Sequence, residues 1–134
     1  MLKEIPVKTT SRIQLLDVTS SVEKAVKESG VKEGMCLAFV KHTTAAVTLN
    51  ENADPDVKSD ILKKLNALVP EREGYSHSEG NSDAHIKSSL IGCSELIPIS
   101  NGSLVLGAWQ GILFCEFDGP RNRKLIVQAI ESPK

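Results

Sequence analysis

The sequence predicts a single α+β domain with mixed or antiparallel β-sheets in a sandwich-like core and two to three helices. The chain has 134 residues, of which 40% are hydrophobic, and this is the size of one average domain with one core. Its last third consists of apolar runs separated by turn residues, which is typical of strands. Helical stripes and caps occur only in short segments before that. We therefore treat 1–134 as one domain.

The first elements are predicted to be a hairpin and a helix. Residues 5–10 and 13–18 alternate loosely between apolar and polar and are rich in β-branched types, with a turn candidate between them. Ser20-Ser21-Val22-Glu23 fits a capping box, and Gly30 supplies a stop. The sequence therefore predicts a helix over 21–29.

Two strands and a second helix follow. Residues 35–40 are apolar throughout and predict a buried strand, and residues 47–49 predict an extended segment. Asp54-Pro55 is a favourable helix start, because Asp can cap and proline fits the first helical position. An amphipathic stripe then runs to the last turn before Pro70 and comprises Val57, Ile61, Leu65 and Leu68.

Residues 69–83 lack any period and form a long irregular connection of the kind that often carries function. A short helix over 84–91 is predicted next, capped by Ser82 or Asp83 and stopped by Gly92.

The last third is predicted to be β. Residues 96–99 and 104–106 flank Ser100-Asn101-Gly102, and an Asn-Gly pair is a strong hairpin signal. Residues 110–117 and 124–130 flank a second turn-rich link.

Charge and hydropathy exclude several classes of partner. Sixteen basic and seventeen acidic residues give a net charge of −1, which provides no global field for nucleic acid or an anionic membrane. Neither a signal peptide nor a run of about 20 apolar residues is visible, so we expect a cytoplasmic protein. Cys36, Cys93 and Cys115 lie among apolar neighbours and are predicted to be buried free thiols, with a catalytic Cys115 as the weaker alternative.

The three histidines, His42, His77 and His85, are the main candidates for chemistry. Two belong to the pattern His77-x-Glu79-x-Asn81-x-x-x-His85 in the irregular connection. Imidazole binds metals and exchanges protons near neutral pH. The spacing matches no standard zinc motif. Surface or hydrogen-bonding roles for each histidine remain open.

Other polar residues could extend this site. Glu51 is not explained by helix capping, and carboxylates bind Mg²⁺ that bridges to substrate phosphates. Arg121 and Arg123 follow a tight turn and are either an anion clamp or solvated side chains. The helix start before Ser88 favours a phosphate, although Asp83 would compete for the same donors.

Trp109 and Gln110 lie between glycines, where a backbone can be approached closely. The tryptophan is either a core residue or the wall of a ligand pocket.

Read together, these motifs resemble the YjbQ-type family, also labelled secondary thiamine-phosphate synthase enzymes. The resemblance covers essentially the whole chain. It departs from the family at Ala108, where a threonine is usual, so one ligand contact is lost if that hydroxyl binds ligand. The motifs that carry it are His42-Thr43-Thr44-Ala45, Asn50-Glu51, His77-x-Glu79-x-Asn81-x-x-x-His85, Gly107-Ala108-Trp109-Gln110 and Asp118-Gly119-Pro120-Arg121-x-Arg123.

The resemblance implies a homotrimer that acts on a small phosphorylated metabolite. The implied activity is a weak thiamine-phosphate synthase reaction, which joins a pyrimidine diphosphate to a thiazole phosphate and releases pyrophosphate. His42, Glu51 and His85 would be catalytic, and His42, His77 and His85 would be metal ligands. The implied substrate-binding residues are Thr43, Thr44, Asn81, Ser88, Trp109, Gln110, Arg121 and Arg123.

Two cofactors and two other functions stay open. The metal is either zinc at the histidines or magnesium with a phosphorylated substrate. One alternative is a zinc-dependent hydrolase with Glu51 or Glu79 as general base. The other is a trimeric metabolite-binding protein without turnover.

Overall fold

The computed structural model describes residues 2–134 and confirms the α+β class. The helices within this range are α1 (Thr19–Ser29), α2 (Pro55–Leu68) and α3 (Ser82–Ile91). The strands are β1 (Leu2–Lys8), β2 (Gln14–Asp17), β3 (Gly34–Val40), β4 (Ala45–Glu51), β5 (Ser94–Ser100), β6 (Ser103–Leu104), β7 (Gln110–Glu116) and β8 (Asn122–Glu131).

The strands form two antiparallel sheets around one core. The larger sheet has the order β1-β8-β3-β5-β6, and the smaller has the order β2-β7-β4. Both sheets contribute side chains to one apolar cluster, for example Leu125 from the larger and Phe114 from the smaller. Helix α1 adds Val22 and Val26 to that cluster. The burial of this apolar face is what makes the two sheets pack together.

The predicted hairpin between the first two strands is wrong. Strand β1 pairs with β8, and β2 pairs with β7 in the other sheet. The link between them carries the chain across and is held by Arg12 O, which accepts from Gly119 N at 2.9 Å. A local alternation of residue types predicts a strand but not its partner. The hairpin at Asn101-Gly102 is confirmed by the Ser100–Ser103 pair, with both turn residues at positive φ.

Helix α1 begins earlier than the capping box predicts. It starts at Thr19, whose backbone N–H donates to Asp17 Oδ1 at 3.0 Å. Asp17, at the end of β2, therefore accepts the hydrogen bond at the start of α1 that we expected a serine to accept. The start of α2 is confirmed, because Asp54 Oδ1 accepts from Asp56 N at 2.9 Å.

Helix α3 is fixed by a buried ionic network rather than by a cap. Asp83 accepts from Arg12 Nη2 and from Lys87 Nζ, each at 3.0 Å, and Lys87 Nζ also donates to Asn66 Oδ1 at 2.7 Å. The side chains of Asp83 and Lys87 are buried. The predicted capping by Asp83 or Ser82 is therefore wrong, because Asp83 joins α3 to the β1–β2 link, while Lys87 joins α3 to α2. This network holds the helix that carries His85.

The structure confirms the predicted burial of two of the three cysteines. Cys36 and Cys115 are buried free thiols, and burial raises the pKa of Cys36 to about 11 and that of Cys115 to about 12. Cys93 is exposed, which corrects the expectation for that residue. Its nearest apolar neighbour in sequence, Ile91, is the last residue of α3, whereas Cys93 itself lies in the link between α3 and β5.

Within the described part of the chain, no helix has the length and apolar character needed to cross a membrane.

Candidate functional site

All three histidines line one cavity of about 510 Å³, which we call the histidine cavity. This volume lies within the range of about 300–1,000 Å³ that is usual for small-molecule sites. The sequence left open whether the histidines converge, and the fold brings all three to this cavity. The lining residues are Lys41, His42, Thr43, Thr44, His77, Glu79, Asn81, His85, Asp118, Arg121 and Arg123.

Four segments meet at the histidine cavity. Residues 41–44 carry the chain from β3 in the larger sheet to β4 in the smaller one. The irregular connection after α2 brings His77, and α3 brings His85. The fourth segment is the turn between β7 and β8, which leads to Arg123. The cavity therefore depends on the tertiary fold and not on any local motif.

A buried ion pair forms the floor of this region. Arg123 Nε donates to Glu116 Oε1 at 2.8 Å, and its Nη2 forms a second, short bond to the same carboxylate. Nη2 also donates to Thr44 Oγ1 at 2.8 Å. Glu116 further accepts from Thr9 Oγ1 at 2.8 Å and from Asp118 N at 3.0 Å. These bonds fix the 41–44 segment against the turn between β7 and β8.

The charge of Glu116 is maintained in spite of its burial. Burial alone would raise the pKa of Glu116, but the Arg123 guanidinium, the Asp118 N–H and Thr9 together lower it below its ordinary value. Our sequence reasoning missed Glu116. The available signal was an acidic residue at the end of the apolar run of β7, since a buried carboxylate requires a partner. Arg123 is therefore structural here, and its role as a solvated side chain is ruled out by its 5% exposure.

His42 has a fixed orientation and a perturbed pKa. Its Nε2 accepts from the Lys124 backbone N–H at 3.1 Å, so in the neutral ring the proton is on Nδ1. Partial burial and the nearby Arg123 charge lower the pKa of His42, against smaller opposing effects. The imidazole is therefore neutral at pH 7 and acts as a hydrogen-bonding group rather than a fixed charge.

We expect the His42 ring to titrate below its ordinary pKa of about 6.5. The folded state then binds fewer protons than the unfolded state, so the free energy of unfolding should fall as the pH is lowered through about 6.5. NMR titration of the histidine ring signals, with the His42 signal assigned from its absence in His42→Asn, measures the pKa of His42. A His42 pKa above 6.5 would contradict the assignment.

His77 and His85 contact each other across the cavity. Their ring centroids are 5.5 Å apart with the planes at 90°, and Glu79 Oε2 lies 3.9 Å from His77 Nε2. Among residues 2–134, no group of three or more His, Cys, Asp or Glu side chains is placed to hold a metal ion. The lone pair of His42 Nε2 is also engaged by Lys124. The three histidines thus share one cavity. That His42, His77 and His85 coordinate zinc stays a prediction.

Asn81 links α3 to the turn that carries Arg121. Its Nδ2 donates to Asp118 Oδ2 at 2.8 Å, which fixes the amide orientation because a carboxylate can only accept. Arg121 Nη2 donates to the same Oδ2 at 2.9 Å and is 53% exposed on its side chain. Asn81 Oδ1 is buried and has no hydrogen-bond partner. An orphaned acceptor of this kind is suited to a donor or cation that arrives with a ligand.

Three predicted site residues lie elsewhere. Glu51 and Gln110 are register partners at the far end of β4, and Glu51 Oε2 accepts from Asp54 N at 3.2 Å. Seven residues of strand at about 3.3 Å each put Glu51 about 23 Å from Thr44. Trp109 is 68% exposed at the same far end and is not a core residue. Within one chain, none of the three reaches the histidine cavity.

Ser88 and Ala108 also lie outside the lining of the histidine cavity. Ser88 lies on α3 and lines a neighbouring cavity that shares His42 and His85. Ala108 precedes Trp109 and lies with it at the far end, so its departure from the family pattern does not alter the histidine cavity within one chain. Lys41, which our sequence reasoning missed, lines the histidine cavity beside His42.

Comparison with known proteins gives matches over nearly the whole chain. The family model described as UPF0047 protein YjbQ-like matches residues 3–132. The UPF0047 protein YugU of Bacillus subtilis is 49% identical over 96% of this chain and 98% of its own length. A UPF0047 protein of Methanocaldococcus jannaschii is 52% identical over 97% and 94%.

Solved structures with the same fold exist for similar chains. An uncharacterised conserved protein of the YjbQ/UPF0047 family from Clostridium acetobutylicum is 55% identical, with a TM-score of 0.94 over 96% of this chain and 99% of that one. A protein of unknown function from Sulfolobus solfataricus is 35% identical, with a TM-score of 0.95 over 98% and 97%.

Proposed function

This chain belongs to the UPF0047 YjbQ-like family, and from that premise we propose that its histidine cavity binds a small phosphorylated metabolite and performs proton-transfer chemistry on it. The observation that carries the proposal is the convergence of three imidazoles, Lys41 and Arg121 on one cavity. Titratable groups gathered in a cleft with a perturbed pKa are typical of active sites. The candidate reaction is the thiamine-phosphate synthase step that the sequence resemblance implies.

The cations of the cavity suit a phosphate. Arg121 lies at the rim, half exposed, with one edge held by Asp118. A guanidinium held in this way is oriented before a ligand arrives, and it pairs with phosphate oxygens in a fixed two-pronged geometry. Lys41 adds a second exposed charge, which Glu4 contacts at 3.0 Å. Because these cations are already paired with carboxylates, we expect moderate rather than tight binding of the free anion.

The imidazoles supply the proton chemistry. His42, neutral and oriented by Lys124 N, would donate a hydrogen bond from Nδ1 to a substrate oxygen. His85 lies between His77 and the neighbouring cavity, where it would exchange a proton with the leaving or attacking atom. When pyrophosphate leaves, its developing charge would be stabilised by Arg121 and Lys41.

A magnesium ion fits the cavity better than zinc. Mg²⁺ takes one or two protein carboxylates together with substrate phosphates, and it needs no dedicated protein cage. Glu79 and Asp118 line the cavity, and with the unpartnered Asn81 Oδ1 they would hold such an ion. When bound, the ion would neutralise charge on a diphosphate. Zinc at the histidines would instead require His42 to give up its bond to Lys124, and the zinc-dependent hydrolase is therefore the less favoured function.

Arg121→Gln should weaken the binding of inorganic pyrophosphate by about tenfold, since a hydrogen bond to a charged group contributes about 1.5–3 kcal/mol. Thermal shift and isothermal titration with Mg²⁺ present measure the affinity. Arg72→Gln is the matched control, because Arg72 is exposed and does not line the cavity. Equal affinities in the three proteins would place the anion elsewhere.

Turnover separates the enzyme from a binding module. The wild-type protein is assayed for thiamine phosphate formed from the pyrimidine diphosphate and the thiazole phosphate. Binding of both precursors without any product would favour the metabolite-binding alternative.

Assembly and location are part of the same proposal. Under the homotrimer that the resemblance implies, the exposed Trp109 would be a contact of a neighbouring chain. Analytical ultracentrifugation tests this assembly directly. Three free cysteines suit a reducing compartment such as the cytoplasm.

A further inference from the structure

A second cavity of about 360 Å³ lies against the histidine cavity, and we call it the side cavity. The two cavities share His42, Thr43 and His85. The residues that line the side cavity but not the histidine cavity are Ala45, Ser88, Ser89, Gly92 and Cys93. None of these described lining residues is Asp, Glu, Lys or Arg, in contrast to the histidine cavity.

Ser88 carries an unused hydrogen-bonding group in the side cavity. The residue is only 8% exposed, and its Oγ has no hydrogen-bond partner. The hydroxyl of the next residue, Ser89, donates to the His85 carbonyl at 2.9 Å. A serine on α3 can therefore bond to the helix backbone, but Ser88 makes no such bond. A buried hydroxyl without a partner is destabilising, and its presence calls for a bound group that satisfies it.

The part of the side cavity formed by the link after α3 is rigid and carries a thiol. Gly92 O accepts from Val47 N at 3.2 Å, and Cys93 O accepts from Val40 N at 2.8 Å. The link after α3 is therefore tied to both sheets. Gly92 has a φ of 100°, which disfavours any other residue there. The side cavity is thus preformed, and Cys93 is exposed where Cys36 and Cys115 are buried.

We infer that the side cavity binds the uncharged organic part of the phosphorylated substrate, with Ser88 Oγ hydrogen-bonded to it and the Cys93 thiol in contact with it. This inference rests on the proposed function, because the phosphate is assigned to the histidine cavity. The bond between the charged and uncharged parts then lies against His42 and His85, which both cavities share. The substrate class is a phosphorylated small molecule with a partly apolar group that carries one hydrogen-bonding atom.

Alkylation of Cys93 by iodoacetamide reports occupancy of the side cavity. The probes are inorganic phosphate, which has no organic part, and phenyl phosphate, which adds an uncharged ring. At ten times its dissociation constant, phenyl phosphate should slow alkylation about tenfold, because the free fraction of the protein falls to about a tenth. Inorganic phosphate at the same saturation should leave the rate within about twofold, since it leaves the side cavity open. Cys93→Ser, followed by mass spectrometry, shows that the modified thiol is Cys93.

Ser88→Val tests the same cavity from the other wall. The added methyl groups should lower affinity for phenyl phosphate while leaving that for inorganic phosphate unchanged, and Ser88→Ala should raise the Tm of the free protein, because it removes a buried hydroxyl without a partner. If both probes shift the histidine NMR signals but neither slows alkylation, the inference is overturned and the proposed function survives. If neither probe shifts those signals, the proposed function fails and the inference fails with it.

Discussion

Replacing Arg123 with methionine is expected to lower the free energy of unfolding by about 3–5 kcal/mol, the usual effect of removing one partner of a buried ion pair. The change leaves the fully buried Glu116 carboxylate with only Thr9 Oγ1 and Asp118 N as donors. Without the Arg123 guanidinium, the effect of burial is no longer outweighed, so the pKa of Glu116 should rise. Urea denaturation at pH 7 measures the difference.

Two variants control this result. Arg121→Met removes a half-exposed arginine from its pair with Asp118 and should cost less than about 1 kcal/mol. The double variant Glu116→Leu with Arg123→Met removes both charges and should recover much of the lost stability. A loss below about 1 kcal/mol in Arg123→Met alone would show that the pair does not hold the site together.

His85→Ala is expected to lower kcat/KM for thiamine phosphate formation by about 10²–10⁴-fold, the range for loss of a general acid or base. His85 lines both the histidine cavity and the side cavity, and no Asp, Glu, Lys or Arg side chain of α3 lines either of them. Leu90→Ala, an exposed position on the same helix, should leave the rate unchanged.

The pH profile separates catalysis from structure in this variant. If His85 exchanges a proton, one limb of the kcat/KM profile should disappear in His85→Ala. A rate equal to that of the wild-type protein would remove His85 from the chemistry.

Local signals in the sequence predicted the elements that local interactions determine. Helix α2, its Asp54 cap and the Asn101-Gly102 hairpin appear as expected, whereas Leu68 of the α2 stripe is 63% exposed. The β1–β2 hairpin was wrong, because β1 pairs with β8 more than one hundred residues later, at Leu2–Gln128 for example. Partner choice in a sheet depends on contacts that no short segment encodes.

The candidate site shows the same division. Its three histidines were candidates because imidazole suits proton and metal chemistry, and His77 lies in the irregular connection, where function is often found. Glu51 lies outside the histidine cavity within one chain, since the sequence does not show which end of β4 faces the cavity. Glu116 was missed because its partner Arg123 lies on the next strand, and only the fold shows that both are buried.

We propose that the three histidines form one ligand site. They are the only histidines in the chain, so isotope-labelled histidine gives ring signals from this site alone. Titration with pyrophosphate and Mg²⁺ should shift the signals of His42, His77 and His85 with one common dissociation constant, and Arg121→Gln should raise that constant. Histidine signals that stay unchanged at saturating pyrophosphate would contradict the claim.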